Sequence, residues 1–180
     1  MYKVLALLTV VVILVGCSHE ALVTNVEERF GALTKNSNDN GYVRDLVLLN
    51  TSKGEVKIKV YLEDSPIAST NFMKNAQSGK YNGASFHKVD EVMVLGGDKL
   101  GGLGGGRILS EINSRSFVVG SVGAWRGANI DTSNDVQFFI CKADCDQFTN
   151  FYVNFGEVAE GMRVVRSLEA GDRIESVTVF

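Results

Sequence analysis

Hydrophobic positions change their spacing several times along the chain, and each change marks an element. From Val4 to Val15 the run is apolar except at Thr9. Between Glu20 and Thr34, Leu22, Val26, Phe30 and Leu33 recur every three or four residues, with Asn25, Glu28 and Arg29 on the other face. That spacing predicts an amphipathic helix, whose stripe is expected to pack on the chain's own domain. Asn36-Ser37-Asn38-Asp39-Asn40-Gly41 offers nothing to bury and reads as a linker. The compact domain is therefore expected over 42–180. Within it the period shortens to two. Val47 and Leu49 precede Thr51-Ser52-Lys53-Gly54, after which Val56, Ile58 and Val60 alternate with Lys57 and Lys59. This is a hairpin with one buried face. Pro66 suits the first turn of a helix over 67–77, because its missing N–H would have no partner there anyway. Short strands are expected over 85–89, 92–95, 117–124 and 136–140, a second helix near 161–168, and a last alternating strand over 174–180. Many short strands with two helices predict a mainly β fold, a closed antiparallel barrel rather than a doubly wound α/β sheet.

The first apolar run is about 12 residues long, below the ~20 that cross a bilayer as a helix, and it follows Lys3 as a signal-peptide core would. Leu14-Val15-Gly16-Cys17 resembles the bacterial lipobox, whose cysteine becomes the lipidated mature N-terminus. Residues 1–16 are thus expected to be a lipoprotein-type signal peptide and 17–41 a lipidated tether. The protein is expected to be exported and held on a membrane of a bacterial cell envelope. Export would place Cys141 and Cys145 in an oxidising compartment, where they either form a disulfide or remain free thiols.

Composition mainly excludes. The 180 residues suit one domain, and 18 Lys+Arg against 21 Asp+Glu leave a net charge of −3, with no bulk attraction for nucleic acid. Two histidines and three cysteines, without Cys-x-x-Cys or His-x-x-x-His spacing, argue against a zinc or haem site. The cluster Gly101-Gly102-Leu103-Gly104-Gly105-Gly106 lacks the Lys-Ser/Thr of a phosphate loop and reads as a tight irregular loop. His87 has no serine-centred elbow beside it.

Phe86-His87-Lys88-Val89, followed by Val92-Met93-Val94-Leu95-Gly96-Gly97-Asp98, resembles the cyclophilin signature, commonly Phe-His-Arg-Val/Ile and then Phe-Met-x-Gln-Gly-Gly-Asp. Further matches follow in order over roughly 43–180. They include the Thr51–Tyr61 hairpin, Asn71-Phe72, Tyr81-Asn82-Gly83, Gly104-Gly105-Gly106 with Glu111, Gly120-Ser121-Val122, Gln137-Phe138-Phe139-Ile140 and Phe155-Gly156-Glu157-Val158. The resemblance implies a closed eight-stranded antiparallel barrel capped by two α-helices, with a peptide groove on its outer face. It also implies peptidyl-prolyl cis-trans isomerisation of proline-containing polypeptides.

That reaction must lower a rotational barrier of about 18–20 kcal/mol set by amide resonance. It requires no metal, nucleophile or cofactor. An apolar seat for the proline ring is needed, together with a cationic donor to the prolyl nitrogen. The nitrogen accepts a hydrogen bond only once resonance is broken, so the donor favours the twisted transition state. Carried over by resemblance, Lys88 stands at the family's catalytic arginine and Gln137 at its glutamine; both are catalytic candidates. Phe86, Val92, Met93, Leu95, Trp125, Arg126, Phe139, Phe148 and Tyr152 are the substrate-binding candidates. Among them Val92, Met93, Phe139 and Phe148 would form the proline pocket. The chain departs from the family where Lys88 replaces arginine, Leu95 replaces glutamine and Val92 replaces phenylalanine. Two readings follow: a lipid-anchored isomerase assisting protein folding, or a cyclophilin-fold peptide-binding or scaffold lipoprotein with weak or no activity. A monomer that binds no nucleic acid is expected in either case.

Overall fold

The computed structural model describes residues 45–180. The expected signal peptide, lipidated Cys17, the helix over 20–34 and the polar linker lie outside the described residues. Among those described, alternation governs the first hairpin. Val47 and Leu49 of β1 (Leu46–Thr51) and Val56, Ile58 and Val60 of β2 (Gly54–Val60) turn inward, while Glu55 and Lys59 are exposed. The tight turn holds because Thr51 Oγ1 donates to Gly54 O at 2.6 Å and Gly54 has φ +129°, a region that side chains disfavour.

The remaining strands are β3 (Ser85–Val89), β4 (Met93–Asp98), β5 (Arg107–Leu109), β6 (Ser121–Ala124), β7 (Thr132–Asn134), β8 (Phe138–Cys141), β9 (Val153–Glu160) and β10 (Ile174–Val179). Eight of them form one antiparallel sheet in the order β10-β1-β2-β9-β6-β8-β4-β3, and β5 pairs with β7 separately. The two edges meet at a bridge between Ser85 and Arg173. The Gly83 N–H donates to Ile174 O (2.7 Å) and the Ile174 N–H to Ala84 O (2.8 Å), so the barrel is nearly closed. Closure leaves few unpaired edge groups to attract other chains. The mainly β, eight-stranded antiparallel barrel with two helices is the fold class expected from the sequence.

Helix α1 (Pro66–Gln77) plugs the barrel with Phe72, whose ring centroid lies 5.2 Å from each of Tyr81, Phe138 and Phe155. Its first free N–H groups, on Ile67 and Ala68, donate to Glu111 Oε2 at 2.7 and 3.0 Å, so a carboxylate from a distant loop caps the helix N-terminus. Burial pushes the Tyr81 phenol pKa up, against an opposing hydrogen bond from Asn75. Helix α2 (Met162–Ser167) buries Val165.

Three departures from the sequence expectation have local causes. The strand expected over 117–124 begins only at Ser121, because Gly120 (φ +87°) turns the chain and Phe117 leaves the barrel wall. The eight-residue β9 is not predicted by periodicity, since Asn154, Gly156 and Glu157 interrupt its apolar rhythm. The short pair β5 and β7 carries no alternating signal at all.

Candidate functional site

A second apolar cluster lies on the outside of the barrel wall. In β4, Val94 faces the interior while Met93 and Leu95 face out; in β8, Phe138 and Ile140 face in while Phe139 and Cys141 face out. Strand register lines up the outward positions. Lys88 lies opposite Leu95, Leu95 opposite Phe139, and Phe139 opposite Gly123. Gly123 supplies space: a Cβ there would strike the Phe139 ring and come within 2.8 Å of Phe117.

Phe139 is therefore 0% exposed although it sits on the outer wall. Phe117 stacks on it at 5.4 Å, and Phe148, Tyr152 and Trp125 meet it edge-on at 5.3, 5.4 and 6.4 Å. Trp125 in turn stacks on Tyr152 at 5.8 Å. The Arg126 guanidinium lies 4.8 Å from the Tyr152 ring centre, and its Nε donates to Phe151 O at 2.7 Å. Half-buried Val92, Trp125, Phe148 and Tyr152 form the accessible rim, with Phe139, Met93 and Leu95 as the floor.

The arm carrying Phe148 and Tyr152 is pinned beneath this rim. Cys141 and Cys145 form a disulfide with Cα atoms 6.2 Å apart, and the Cys145 N–H donates to Phe117 O at 3.0 Å. The 3-10 turn Asp146–Phe148 follows, and the Phe117 N–H donates to Thr149 Oγ1 at 3.0 Å. Closing so short a loop is worth about 2 kcal/mol in the chain-entropy description. Reduction, or Cys141→Ala with Cys145→Ala, is expected to lower unfolding stability by about that amount, read from urea midpoints with and without dithiothreitol. Identical midpoints would show that the bridge contributes nothing.

The polar candidates divide. Lys88 extends into solvent, its side chain 53% exposed and its Nζ 3.9 Å from Asp90 Oδ2. Asp90 Oδ1 meanwhile accepts the Val92 and Met93 N–H groups at 2.9 and 2.8 Å, fixing the β3–β4 turn. Gln137, two residues before Phe139, is buried and donates to Gly102 O (3.1 Å) and Gly104 O (2.9 Å). The glycine loop also hangs from Asp98, whose Oδ1 accepts the Leu100 and Gly102 N–H groups at 2.7 and 3.1 Å, and from Asn134, whose Nδ2 donates to Gly104 O at 3.0 Å. Asp98 and Asn134 are the loop's anchors, Asp98 through N–H groups two and four positions on and Asn134 from thirty positions away, a pairing that sequence reasoning misses. The resemblance counts Phe86 among the substrate contacts, and here a correction is needed. Phe86 is fully buried in the interior cluster against Phe138, on the wrong side of the wall to touch a peptide.

Beyond Trp125 and Gln137 a polar cavity of about 380 Å³ opens, walled by the glycine loop, Arg107, Asn129 and Asn134. Burial and the neighbouring Glu157 push Tyr61 up to about 12, and the hydrogen bonds that Lys57 donates to Glu160 and Arg115 to Asp64 raise Lys57 and Arg115. Among the described residues, no group of three or more His, Cys, Asp and Glu side chains is placed to hold a metal ion.

Residues 46–179 match the family model described as cyclophilin type peptidyl-prolyl cis-trans isomerase. A peptidyl-prolyl cis-trans isomerase from Synechococcus elongatus is 34% identical over 139 residues, covering 73% of this chain and 94% of that protein. One from Helicobacter pylori is 34% identical over 137 residues, covering 72% and 83%. Among solved structures, a Cryptosporidium parvum cyclophilin type peptidyl-prolyl cis-trans isomerase, crystallised in the presence of the dipeptide Ala-Pro, shares the fold with a TM-score of 0.69. Its identity is 23%, with 75% of this chain and 98% of that chain covered.

Proposed function

Since this chain belongs to the cyclophilin-type peptidyl-prolyl cis-trans isomerase family, we propose that it acts as an isomerase anchored by lipid at the bacterial cell envelope, seating proline rings on the outer aromatic cluster. The observation that carries the site reading is the cross-strand row Lys88, Leu95, Phe139 and Gly123, which sets a cation and an apolar floor on one face of four neighbouring strands and leaves room for the floor's ring. A proline ring resting on the rim of Val92, Trp125, Phe148 and Tyr152 trades hydrated surface for aromatic contact. Lys88, at the edge of the row, is the group that donates toward the prolyl nitrogen as the amide twists. Gln137 acts through the glycine loop it holds and is a positioning residue in this reading.

The N-terminal sequence supports the anchoring. Cys17 to Gly41 would tether the domain within about 80 Å of the bilayer at ~3.3 Å per extended residue. Clients are then nascent or membrane-proximal polypeptides. Full-length protein is expected to partition with membranes and to accelerate cis-trans exchange of an X-Pro peptide followed by NMR. Cys17→Ser should yield unprocessed precursor or released protein. A Cys17→Ser protein that is still cleaved and membrane-bound overturns the anchoring, and an unchanged exchange rate with the parent protein overturns the catalytic reading.

A further inference from the structure

We infer that His87 is a positioning residue of the isomerase site, whose Nδ1–H closes onto Asp98 when a peptide is bound and fixes the glycine loop that holds Gln137. The inference rests on the isomerase reading above and adds a residue to that site. His87 occupies a break in strand pairing. Phe86 stands opposite Gly96 and Lys88 opposite Leu95, so β3 uses one residue more than β4 between those two pairs. His87 is that residue, a β-bulge of the kind that re-aims a side chain beside a site. Without it, alternation from inward Phe86 would turn Lys88 inward as well. With it, Lys88 takes the outward position opposite Leu95. The same residue lies against the glycine loop. A Cβ on Gly102 would come within 3.1 Å of both Cδ2 and Nε2 of the imidazole, so the loop rests directly on the ring.

The other edge of the ring is unsatisfied. Nδ1 is buried without a hydrogen-bond partner, and Asp98 Oδ2 lies 3.9 Å from it. Asp98 is itself buried, its side chain 2% exposed. A bare Nδ1 would set its lone pair against those of the carboxylate, whereas Nδ1–H faces an acceptor. The neutral Nδ1–H tautomer is therefore the one that fits. A buried donor left unpaired is costly, and here a movement of about 1 Å would pair it. Hydrogen bonds of this kind are often long in a free enzyme and tighten in the complex.

Asp98 transmits that movement to the loop. Its Oδ1 accepts the Leu100 and Gly102 N–H groups, and its Oδ2 accepts the Gly102 N–H as well at 3.1 Å. The Gly102 carbonyl then accepts the Gln137 amide at 3.1 Å. A bond from His87 joins the strand bearing Lys88 to the loop holding Gln137, so the two are set by one contact. A peptide covering the rim removes water from the neighbouring wall, where a polar pair then gains strength.

The test uses the full-length protein, which carries two histidines, so the His87 imidazole signals are identified by their loss in His87→Asn. Long-range 1H–15N spectra should show the Nδ1–H tautomer, and a saturating X-Pro peptide should move that proton downfield. His87→Phe keeps a ring against Gly102 and removes the donor. It is expected to lower kcat about three- to tenfold, the effect of one hydrogen bond, with KM within about twofold of the parent. His87→Asn, whose amide nitrogen can stand where Nδ1 stood, should keep kcat near the parental value. Both are read per folded molecule, well below their urea midpoints. An Nε2–H tautomer, an Nδ1 proton unmoved by peptide, parental kcat in His87→Phe, equal losses in both variants, or a loss carried by KM alone overturns the role while the isomerase reading stands. A parent protein that turns over no X-Pro peptide overturns the isomerase reading, and this role with it.

Discussion

Phe139→Ala is expected to cost about 3–5 kcal/mol of stability and to remove most of the isomerase activity from the protein that still folds. The stability loss follows from deleting a fully buried ring on which Phe117, Phe148, Tyr152 and Trp125 converge. The activity loss follows because the rim rests on that ring, so Trp125 and Phe148 would sink into the cavity and the proline seat would collapse. Gly123→Ala approaches the same floor from the other side. Its methyl would occupy the space of the Phe139 ring and force the ring outward, at a cost of about 1–3 kcal/mol. Urea unfolding reads the first effect and kcat/KM per folded molecule, well below the melting temperature, reads the second. A cluster that merely closes the barrel wall predicts lower stability in both variants with kcat/KM at the parental value; that result would move the proline seat elsewhere.

The distribution of what could be read from the sequence has physical causes. The β1–β2 hairpin and α1 are governed by near neighbours, so alternation, a turn and a leading proline place them almost to the residue. Strand β9 escapes the same reasoning because two of its residues answer to distant partners. A Cβ at Gly156 would press on Lys59 O at 2.6 Å, and Asn154 is buried because its Nδ2 donates to Ser116 O at 3.1 Å. Neither constraint leaves a local pattern. Strand β4 illustrates a further limit. Every one of its residues is buried, so Met93-Val94-Leu95 reads as a continuous apolar run, and only the barrel shows that alternate side chains serve two separate clusters. The resemblance brought Met93, Leu95, Trp125, Phe139, Phe148 and Tyr152 into one site, where the structure groups them. It failed for Phe86, which is buried in the interior cluster. The amide of Gln137 could not be assigned a partner without the fold of the glycine loop.

Lys88→Ala is expected to lower kcat/KM by tenfold or more, each tenfold being about 1.4 kcal/mol of lost transition-state stabilisation. Lys88 shares the outer row with Leu95 and Phe139 by strand register, and its Nζ lies 3.9 Å from Asp90 Oδ2. That pair is solvent-exposed and weakly held, which leaves the ammonium available to swing toward a prolyl nitrogen that becomes an acceptor when the amide twists. The ground-state nitrogen offers no such lone pair, so the interaction exists mainly in the transition state. Peptide affinity should therefore change much less than rate. Lys88→Arg is expected to raise kcat/KM, because a planar fork spreads its donors over separate nitrogens and can keep one N–H on Asp90 while another reaches the substrate, whereas the three donors of an ammonium share one nitrogen. With Leu95→Gln added, an amide on the neighbouring strand position would help orient that fork. The measurement is NMR exchange on one X-Pro peptide across the parent, Lys88→Ala, Lys88→Arg and the Lys88→Arg, Leu95→Gln double variant, with dissociation constants from titration alongside. Equal kcat/KM in the parent and Lys88→Ala would take Lys88 out of the chemistry. A loss in Lys88→Ala explained wholly by weaker binding would make it a substrate contact without a part in the transition state.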